Sequence, residues 1–524
     1  MDFKRIITTN KWLQFALLLT FNAIIFILFA NIFPIRFLTN DDICMAWIAN
    51  GVVSGTPDCH LIFMNALYGS FLVLLYNILP NIEWYSVFFA VFHVVAMSII
   101  IAFFYKKIQN KFLRWVVICL YYLLWFRIIQ YFQFTTTTAM LAFSGILLLV
   151  DRKYVVGGAI LFISSMLRFD AAGLVGLLSI PLFIKSYRFE IKKYIPIAII
   201  LFVICGVHIS DKLFYQSEEW REYCEYNLYR SVINDSPNNW RLNESNKPQS
   251  VSVDNLQLLR NCSADPCQIS NADMKKMAEI ISATPFLQKC RNLPYSIKHY
   301  PFYKLYLGVF LLMCVLYFFG ADGIRNKFFI SFAFLLFIGV IWYISLNGNV
   351  KLRIVESICF VLFSYIYLFL DDSHNQVVSK KSILYVIPLL ISCCILFMHV
   401  FVRIGDKDVS LKNEQLQLIG KTDGLKLINL NRDFQSELLS PFCLHEFPKQ
   451  KIIFGGWLTK SPFCEIHSFR EVVDSNIALF VKRNADISYF QDAIIKNYHI
   501  ETEIYTIANT EHFEIISLRS KNDN

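Results

Sequence analysis

The stretch WYSVFFAVFHVVAMSIIIAFFY, residues 84–105, contains no Asp, Glu, Lys or Arg. An apolar run of this length crosses about 30 Å of hydrocarbon as one helix, so it predicts a membrane span. Similar runs recur along the chain, and together they predict about eleven transmembrane helices. The predicted spans are residues 12–30, 84–105, 113–129, 136–150, 154–166, 171–184, 195–209, 302–319, 328–344, 354–370 and 383–402.

The composition also indicates a membrane protein. Of the 524 residues, 56% are hydrophobic and 17% are charged, whereas a soluble domain carries about 25% charged residues. The formal net charge of +9 comes from basic residues that cluster at the ends of the apolar runs. Such clusters mark the cytoplasmic side of a membrane, so we exclude nucleic acid as a partner and expect membrane lipid instead.

The basic clusters predict the orientation as well. Each falls on the side of the N-terminus, which the positive-inside rule assigns to the cytoplasm of a plasma (bacterial inner) membrane. The apolar run 61–79 is expected at the outer interface or as a re-entrant segment, because a span there would carry the basic loop 106–114 outside. The prediction is a transmembrane domain at 1–402, with outer loops 31–83 and 210–301, and a periplasmic soluble domain at 403–524.

The pattern of the C-terminal domain predicts an α/β fold. Alternating and short apolar runs predict strands at 425–430, 451–454, 477–481, 501–507 and 512–518, with a helix at 487–498. Gly455-Gly456 indicates a turn or a close approach of the backbone to another segment.

Cysteine usage fits the predicted orientation. Eight of the fourteen cysteines fall in the predicted outer segments, and none falls in a cytoplasmic loop. An even number in an oxidising compartment favours disulfides, although free thiols are the alternative. The simplest local pairs are Cys44–Cys59 and Cys443–Cys464.

The sequence Asn40-Asp41-Asp42 is the strongest candidate for chemistry. Two adjacent carboxylates beside a membrane interface repel each other and lose solvent, which favours a raised pKa for one of them. Either Asp41 or Asp42 could act as a general base on an acceptor hydroxyl, while the other orients the acceptor or holds a cation. The alternative is an exposed acidic turn, or a cap by Asp41 on a helix at 43–50.

The acid pair is followed by Gly51, by Gly55-Thr56-Pro57-Asp58-Cys59-His60, by the interfacial run, and by Glu83-Trp84 at the next span. In this order, roughly the first 200 residues resemble the polytopic glycosyltransferases of the GT-C superfamily, which use lipid-phosphate-linked sugars. The resemblance implies a polyprenyl-phosphate-linked sugar as donor and an acid of the pair as catalytic base. The layout is also similar to the O-antigen-modifying glucosyltransferases of enteric bacteria and their phages, which implies glucose as the hexose and lipid-linked O-antigen of lipopolysaccharide as the glycan acceptor.

A lipid-phosphate donor needs cations at the outer interface, where an arginine can hold phosphate oxygens with two hydrogen bonds. His60 and Asp170 are further candidates for binding the substrate. For the cations the alternative is snorkelling at the interface or, for Arg168, a salt bridge to Asp170. The candidate phosphate-binding residues are Arg127, Arg168, Lys351 and Arg353.

These features predict an inverting hexosyltransferase that works on the outer face of the membrane. We expect no required cofactor; a divalent metal is possible, but no zinc motif or phosphate-binding Gly-rich loop indicates one. The alternatives are a lipid or sugar transporter or flippase, and an O-antigen ligase or polymerase.

Overall fold

The computed structural model of the protein describes residues 10–188, 190–291, 324–348, 350–369 and 406–521, with isolated positions between 387 and 397. The predicted span 302–319 and most of the predicted span 383–402 lie outside these residues.

The first part of the chain is a succession of helices. Two-residue strands β1 (Arg36–Phe37) and β2 (Tyr131–Phe132) pair in parallel and bring the start of the second helix beside the start of the sixth. The helices are α1 (Lys11–Ile32), α2 (Asn40–Asn50), α3 (Ala66–Ile78), α4 (Trp84–Lys107), α5 (Lys111–Gln130), α6 (Phe134–Val150), α7 (Tyr154–Leu167), α8 (Phe169–Leu178), α9 (Ile180–Tyr187) and α10 (Ile195–Asp211).

The middle and later helices complete this part of the molecule. The segment 210–301, which was predicted to be an outer loop, is predominantly helical in its described part and encloses a small apolar core around Tyr226, Leu256 and Met277. Its helices are α11 (Glu218–Asp235), α12 (Val253–Arg260) and α13 (Asn271–Ser282), and they are followed by α14 (Ile324–Asn347), α15 (Leu352–Ser364) and α16 (Ile366–Phe369).

Several helices have the length and composition of membrane spans. Within the described residues, four are long and apolar enough to cross a membrane, namely Lys11–Ile32, Trp84–Lys107, Lys111–Gln130 and Lys327–Leu346. The pair α8 and α9 becomes a fifth if its 49° bend is counted within one span. Helix α3, in the run predicted to be interfacial or re-entrant, has 13 residues and is too short to cross. The prediction of a helical polytopic membrane protein is confirmed, and the span count stays a prediction.

Small residues allow a close contact between helices α6 and α7. A Cβ added to Gly157 of α7 would lie 2.8 Å from the carbonyl oxygen of Gly145 in α6, so neither position has room for a side chain. Glycine at such crossings lets two backbones approach directly, which replaces the hydrophobic driving force that lipid does not supply.

The predicted α/β pattern of the C-terminal domain is confirmed. Helix α17 (Asp406–Gly420) precedes a five-stranded sheet of order β4-β3-β5-β7-β6, in which β3 pairs in parallel with β4 and β5, while β7 pairs antiparallel with β5 and β6. The elements of the sheet and its helix are β3 (Lys426–Asn429), β4 (Ile452–Phe454), β5 (Ile477–Lys482), α18 (Ser488–Tyr498), β6 (Thr502–Asn509) and β7 (Phe513–Ser520).

The C-terminal domain packs directly on α2. The Trp47 ring lies 4.6 Å from Phe447 and 5.6 Å from Phe454, and its Nε1 donates to the Leu444 carbonyl oxygen at 3.3 Å. His445 contributes a further polar contact, since its Nδ1 lies 3.1 Å from a carboxylate oxygen of the buried Glu83. Helix α2 is therefore held between the membrane helices and the sheet domain.

Neither predicted local disulfide is formed in the structure, where Cys44, Cys59, Cys443 and Cys464 are all free. Cys44 is fully buried on the packed face of α2. Cys59 instead lies with its Sγ 3.8 Å from Nδ1 of His60. The Cys464 thiol donates to the carbonyl oxygen of Ile466, while Cys443 is exposed. Proximity in sequence therefore did not bring either pair together.

Candidate functional site

The two adjacent acids have different surroundings. Asp41 and Asp42 lie in the first turn of α2, which Thr39 precedes as N-cap residue, and adjacent residues of a helix point about 100° apart. The Asp41 side chain is 21% exposed and lies in the wall of a cavity. Its Oδ2 accepts a hydrogen bond from Nη1 of Arg353 at 3.3 Å, and its Oδ1 accepts one from Nε1 of Trp457 at 3.1 Å. Asp41 is thus the acid of the pair that a bound molecule can contact.

Asp42 points the other way and is fully buried. Its Oδ1 accepts hydrogen bonds from the backbone N–H of Phe134 at 2.9 Å and from the Tyr85 hydroxyl at 3.1 Å, and Thr39 Oγ1 lies 3.4 Å from its Oδ2. Burial raises the pKa of Asp42 to about 8, with the charge of Asp41 adding to the effect and the hydrogen bonds opposing it. Asp42 therefore keeps its proton at neutral pH. Its hydrogen bond with Phe134 joins α2 to the start of α6.

A polar cavity of about 830 Å³ lies in front of Asp41. Its wall is built from the segment 39–63, α11, the turns before α8 and α15, and loops of the C-terminal domain. Positive side chains outnumber acids there, so the cavity attracts anions. Its cations are Arg168, Lys212, Arg221, Arg230, Lys351, Arg353 and Arg432, and its acids are Asp41, Asp211 and Asp235.

An apolar groove of about 1050 Å³ adjoins the polar cavity. Leu174 and Leu177 of α8 line one side of the groove, and Leu335, Val340 and Ile344 of α14 line the other. The groove and the cavity meet at a shared set of polar residues, which are Arg168, Ser231, Asp235, Lys351 and Arg353.

Three of the four predicted phosphate-binding residues lie at this junction. Arg353 reaches Asp41, as described above, and Lys351 pairs with Asp235 at 3.5 Å. The guanidinium of Arg168 lies 4.8 Å above the ring of Phe134, which fixes it at the turn between α7 and α8. The predicted substrate contact Asp170 lies in the wall of the groove, in the first turn of α8.

Arg127 does not join this group. Its Nε donates to Glu356 Oε1 at 3.1 Å, and its guanidinium lies 4.1 Å above the ring of Tyr131. It lines neither cavity. Arg127 thus forms an ion pair with α15, where its side chain is only 10% exposed, and its contact with phosphate stays a prediction.

His60 also lines neither cavity, and its contact with substrate stays a prediction. Its Nδ1 lies 2.7 Å from Asp58, its Nε2 lies 3.1 Å from the carbonyl oxygen of Phe214, and its ring stacks on Trp220 at 4.3 Å. Burial opposes the charged form, but the hydrogen bonds and charges of Asp58 and Cys59 together outweigh it, and the pKa of His60 rises to about 10. His60 therefore joins the segment 31–83 to the segment 210–301.

Two side-chain clusters in the described residues could gather ligands for a metal ion. They are Asp58, Cys59 and His60, and Glu414, Glu511 and His512, each with its ligand atoms within 4.8 Å of one another. None of these six residues lines the polar cavity or the groove.

Trp457 and Arg432 lie in the cavity wall but were not among the predicted site residues. Their only signal in the sequence is Gly455-Gly456, the pair that indicates a close backbone approach. The structure contains that approach, because a Cβ on Gly455 would lie 2.3 Å from the carbonyl oxygen of Cys262.

No family model matches the chain, and no curated protein matches it. Among solved structures it is similar to the crystal structure of ArnT from Cupriavidus metallidurans bound to undecaprenyl phosphate. The TM-score is 0.41 at 10% sequence identity, and the match covers 96% of this chain and 97% of that one.

Proposed function

We propose that this protein is a membrane glycosyltransferase that moves a hexose from a polyprenyl-phosphate donor to a glycan acceptor. The observation that carries the proposal is the junction between the two cavities. There the polar cavity that contains Asp41 opens, beside Arg168, Lys351 and Arg353, onto an apolar groove. A polyprenyl-phosphate sugar has the same order of groups, namely a sugar, an anionic phosphate and an apolar chain.

The donor would bind along this path. Its polyprenyl chain occupies the groove between α8 and α14, and its phosphate oxygens meet the three cations at the junction. A guanidinium can hold two oxygens of one phosphate, so Arg353 and Arg168 contribute orientation as well as charge. The sugar then projects into the polar cavity on the side of Asp41.

Asp41 would act as the general base of an inverting transfer. Its carboxylate takes the proton from a hydroxyl of the acceptor, and the hydroxyl oxygen attacks the anomeric carbon. The bond from that carbon to the phosphate oxygen breaks, and polyprenyl phosphate leaves with the electron pair. The cations at the junction stabilise the charge that develops on the leaving phosphate.

The ion pair between Arg353 and Asp41 would couple binding of the donor to activation of the acceptor. A phosphate arriving at the junction competes for the Arg353 guanidinium, whose Nη1 otherwise lies 3.3 Å from Asp41 Oδ2. Donor binding thereby releases one carboxylate oxygen for the acceptor hydroxyl. Asp42 takes no part in the proton transfer because it is buried and keeps its own proton.

The finer assignments follow the sequence. The basic clusters put the reaction on the periplasmic face of the bacterial inner membrane, where a flipped lipid-linked sugar meets its acceptor. The layout favours glucose as the hexose and lipid-linked O-antigen as the glycan acceptor. The net positive charge of the cavity wall is compatible with an acceptor that carries phosphate.

The test is transfer of radiolabelled sugar from a polyprenyl-phosphate donor to extracted O-antigen glycan by the protein reconstituted in vesicles. We expect Asp41→Asn to lower the rate by about 10²–10⁴-fold, the range typical of a lost general base. The matched control is Asp211→Asn, an acid in the same cavity wall whose Oδ1 accepts the Ala66 backbone N–H at 2.7 Å. An amide oxygen preserves that bond, so this variant keeps its activity.

Two results would contradict the proposal. One is full transfer by the Asp41→Asn variant. The other is movement of the lipid-linked sugar across the vesicle membrane with no covalent product, which would indicate a flippase.

A further inference from the structure

The carboxylate of Asp41 is held from two parts of the molecule. Arg353, at the start of a membrane helix, donates to Oδ2, and Trp457, in the C-terminal domain, donates its indole N–H to Oδ1 at 3.1 Å. The bond to Trp457 joins positions 416 residues apart. It is the contact by which the sheet domain reaches the acid that we propose as base.

The path of the backbone before Trp457 leaves the indole little freedom. Gly455 cannot be any other residue without a clash, because its Cβ would lie 2.3 Å from the Cys262 carbonyl oxygen. Gly456 has a φ of +71°, in the left-handed region that favours glycine. Trp457 is 7% exposed, and its indole packs edge-on against Phe63 with the ring centroids 4.9 Å apart.

Trp457 is part of a wider wall that the C-terminal domain contributes. Strands β3 and β4 run in parallel, and the residues at and after their carboxyl ends, Asn429, Arg432 and Phe454, also line the polar cavity. The carboxyl ends of parallel strands are where open α/β sheets bind ligands. The domain is held there by the packing of its own residues around Trp47.

We propose that Trp457 is a positioning residue for the transfer reaction, and that the C-terminal domain takes part in catalysis by orienting the Asp41 carboxylate. This inference rests on the proposed function. When the donor phosphate engages Arg353, the indole N–H is the donor that continues to hold Oδ1. The opposite oxygen then faces the acceptor hydroxyl in a fixed direction, which is the condition for an efficient proton transfer.

Other charged and titratable groups also face Asp41. Arg353 and Arg168 approach from the membrane helices, and Asp42 and Cys44 lie on α2 itself. All four remain in place when Trp457 is replaced, so a fall in kcat at an unchanged donor KM reports on the lost N–H. That N–H fixes the direction of the Asp41 carboxylate, which is what the proton transfer requires.

The experiment compares Trp457→Phe with Trp47→Phe in the reconstituted transfer assay. Both tryptophans are buried where the two domains meet and donate an indole N–H, but Trp47 donates to the Leu444 carbonyl oxygen. For Trp457→Phe we expect a fall in kcat of about tenfold with a donor KM within about twofold of the original. Trp47→Phe should lower the thermal midpoint but leave kcat within about twofold of the original.

A second variant separates the hydrogen bond from the packing. Benzothienylalanine at position 457 keeps the size of the tryptophan ring but has sulfur in place of the N–H, so the protein should fold even if Trp457→Phe does not. We expect it to reproduce the lowered kcat at an unchanged donor KM. An original kcat in this variant would overturn the inference while leaving the Asp41→Asn result intact. Full activity of Asp41→Asn would instead overturn the proposed function.

Discussion

Replacing Asp42 with asparagine tests whether the buried acid of the pair is structural. Asp42 is fully buried, and burial together with the charge of Asp41 raises its pKa from 3.8 to about 8 in spite of two hydrogen bonds to Oδ1. At neutral pH the carboxyl is thus mostly protonated. An asparagine keeps an acceptor oxygen for the Phe134 N–H and the Tyr85 hydroxyl, so it imitates the protonated acid.

The pH dependence of the free energy of unfolding gives the size of the effect expected from Asp42. Between pH 4 and pH 8 the folded protein holds the Asp42 proton, whereas the unfolded chain has released it. The free energy of unfolding therefore falls by about 1.4 kcal/mol per pH unit as the pH rises through this window, and the contribution is complete only below pH 4. From pH 6 to pH 8 the loss from this single group is about 2 kcal/mol. Asparagine does not titrate, so the Asp42→Asn variant does not undergo this loss of stability.

Thermal unfolding in detergent at pH 6 and pH 8 measures the difference. From pH 6 to pH 8, the free energy of unfolding of Asp42→Asn should rise by about 2 kcal/mol relative to that of the original protein. For a chain of this length this corresponds to about 2 °C in the thermal midpoint. Its rate of sugar transfer at pH 7 should stay within about threefold of the original, because the geometry of α2 is retained. The reasoning is refuted if Asp42→Asn is destabilised equally at both pH values, or if it loses as much activity as Asp41→Asn.

Two further substitutions distinguish a cation that binds the donor phosphate from a cation that stabilises the helix bundle. Arg353→Gln removes a cation from the junction between the cavities, so the donor KM should rise about tenfold, as measured by transfer at varied donor concentration; an unchanged KM would place the phosphate elsewhere. Arg127→Met leaves Glu356 buried and unpaired, and should cost about 3–5 kcal/mol in thermal unfolding with the donor KM unchanged. Adding Glu356→Gln should recover part of that loss. A raised donor KM in a stable Arg127→Met protein would instead assign Arg127 to phosphate binding.

The long apolar runs and the alternating pattern after residue 425 were sufficient to predict membrane helices and the strands of the sheet. Both signals are local, because hydrophobic spacing within one segment reflects the surface that this segment buries. The acid pair was recognisable for a similar reason, because the residues that identify it, from Gly51 to Glu83-Trp84, follow it closely in the sequence.

The roles within the site depended on contacts between distant segments. Only the packed structure distinguishes the partly exposed Asp41 from the buried Asp42, because the surroundings of each side chain depend on what packs around α2. It also places Arg353 at the cavity and pairs Arg127 with Glu356, although all the predicted cations looked equivalent at the ends of apolar runs. The contact from Trp457 to Asp41 had no pattern in sequence, since it spans 416 positions and exists only where the sheet domain meets α2. Sequence spacing determines which surface a segment buries, but the partner that covers it is decided by tertiary packing.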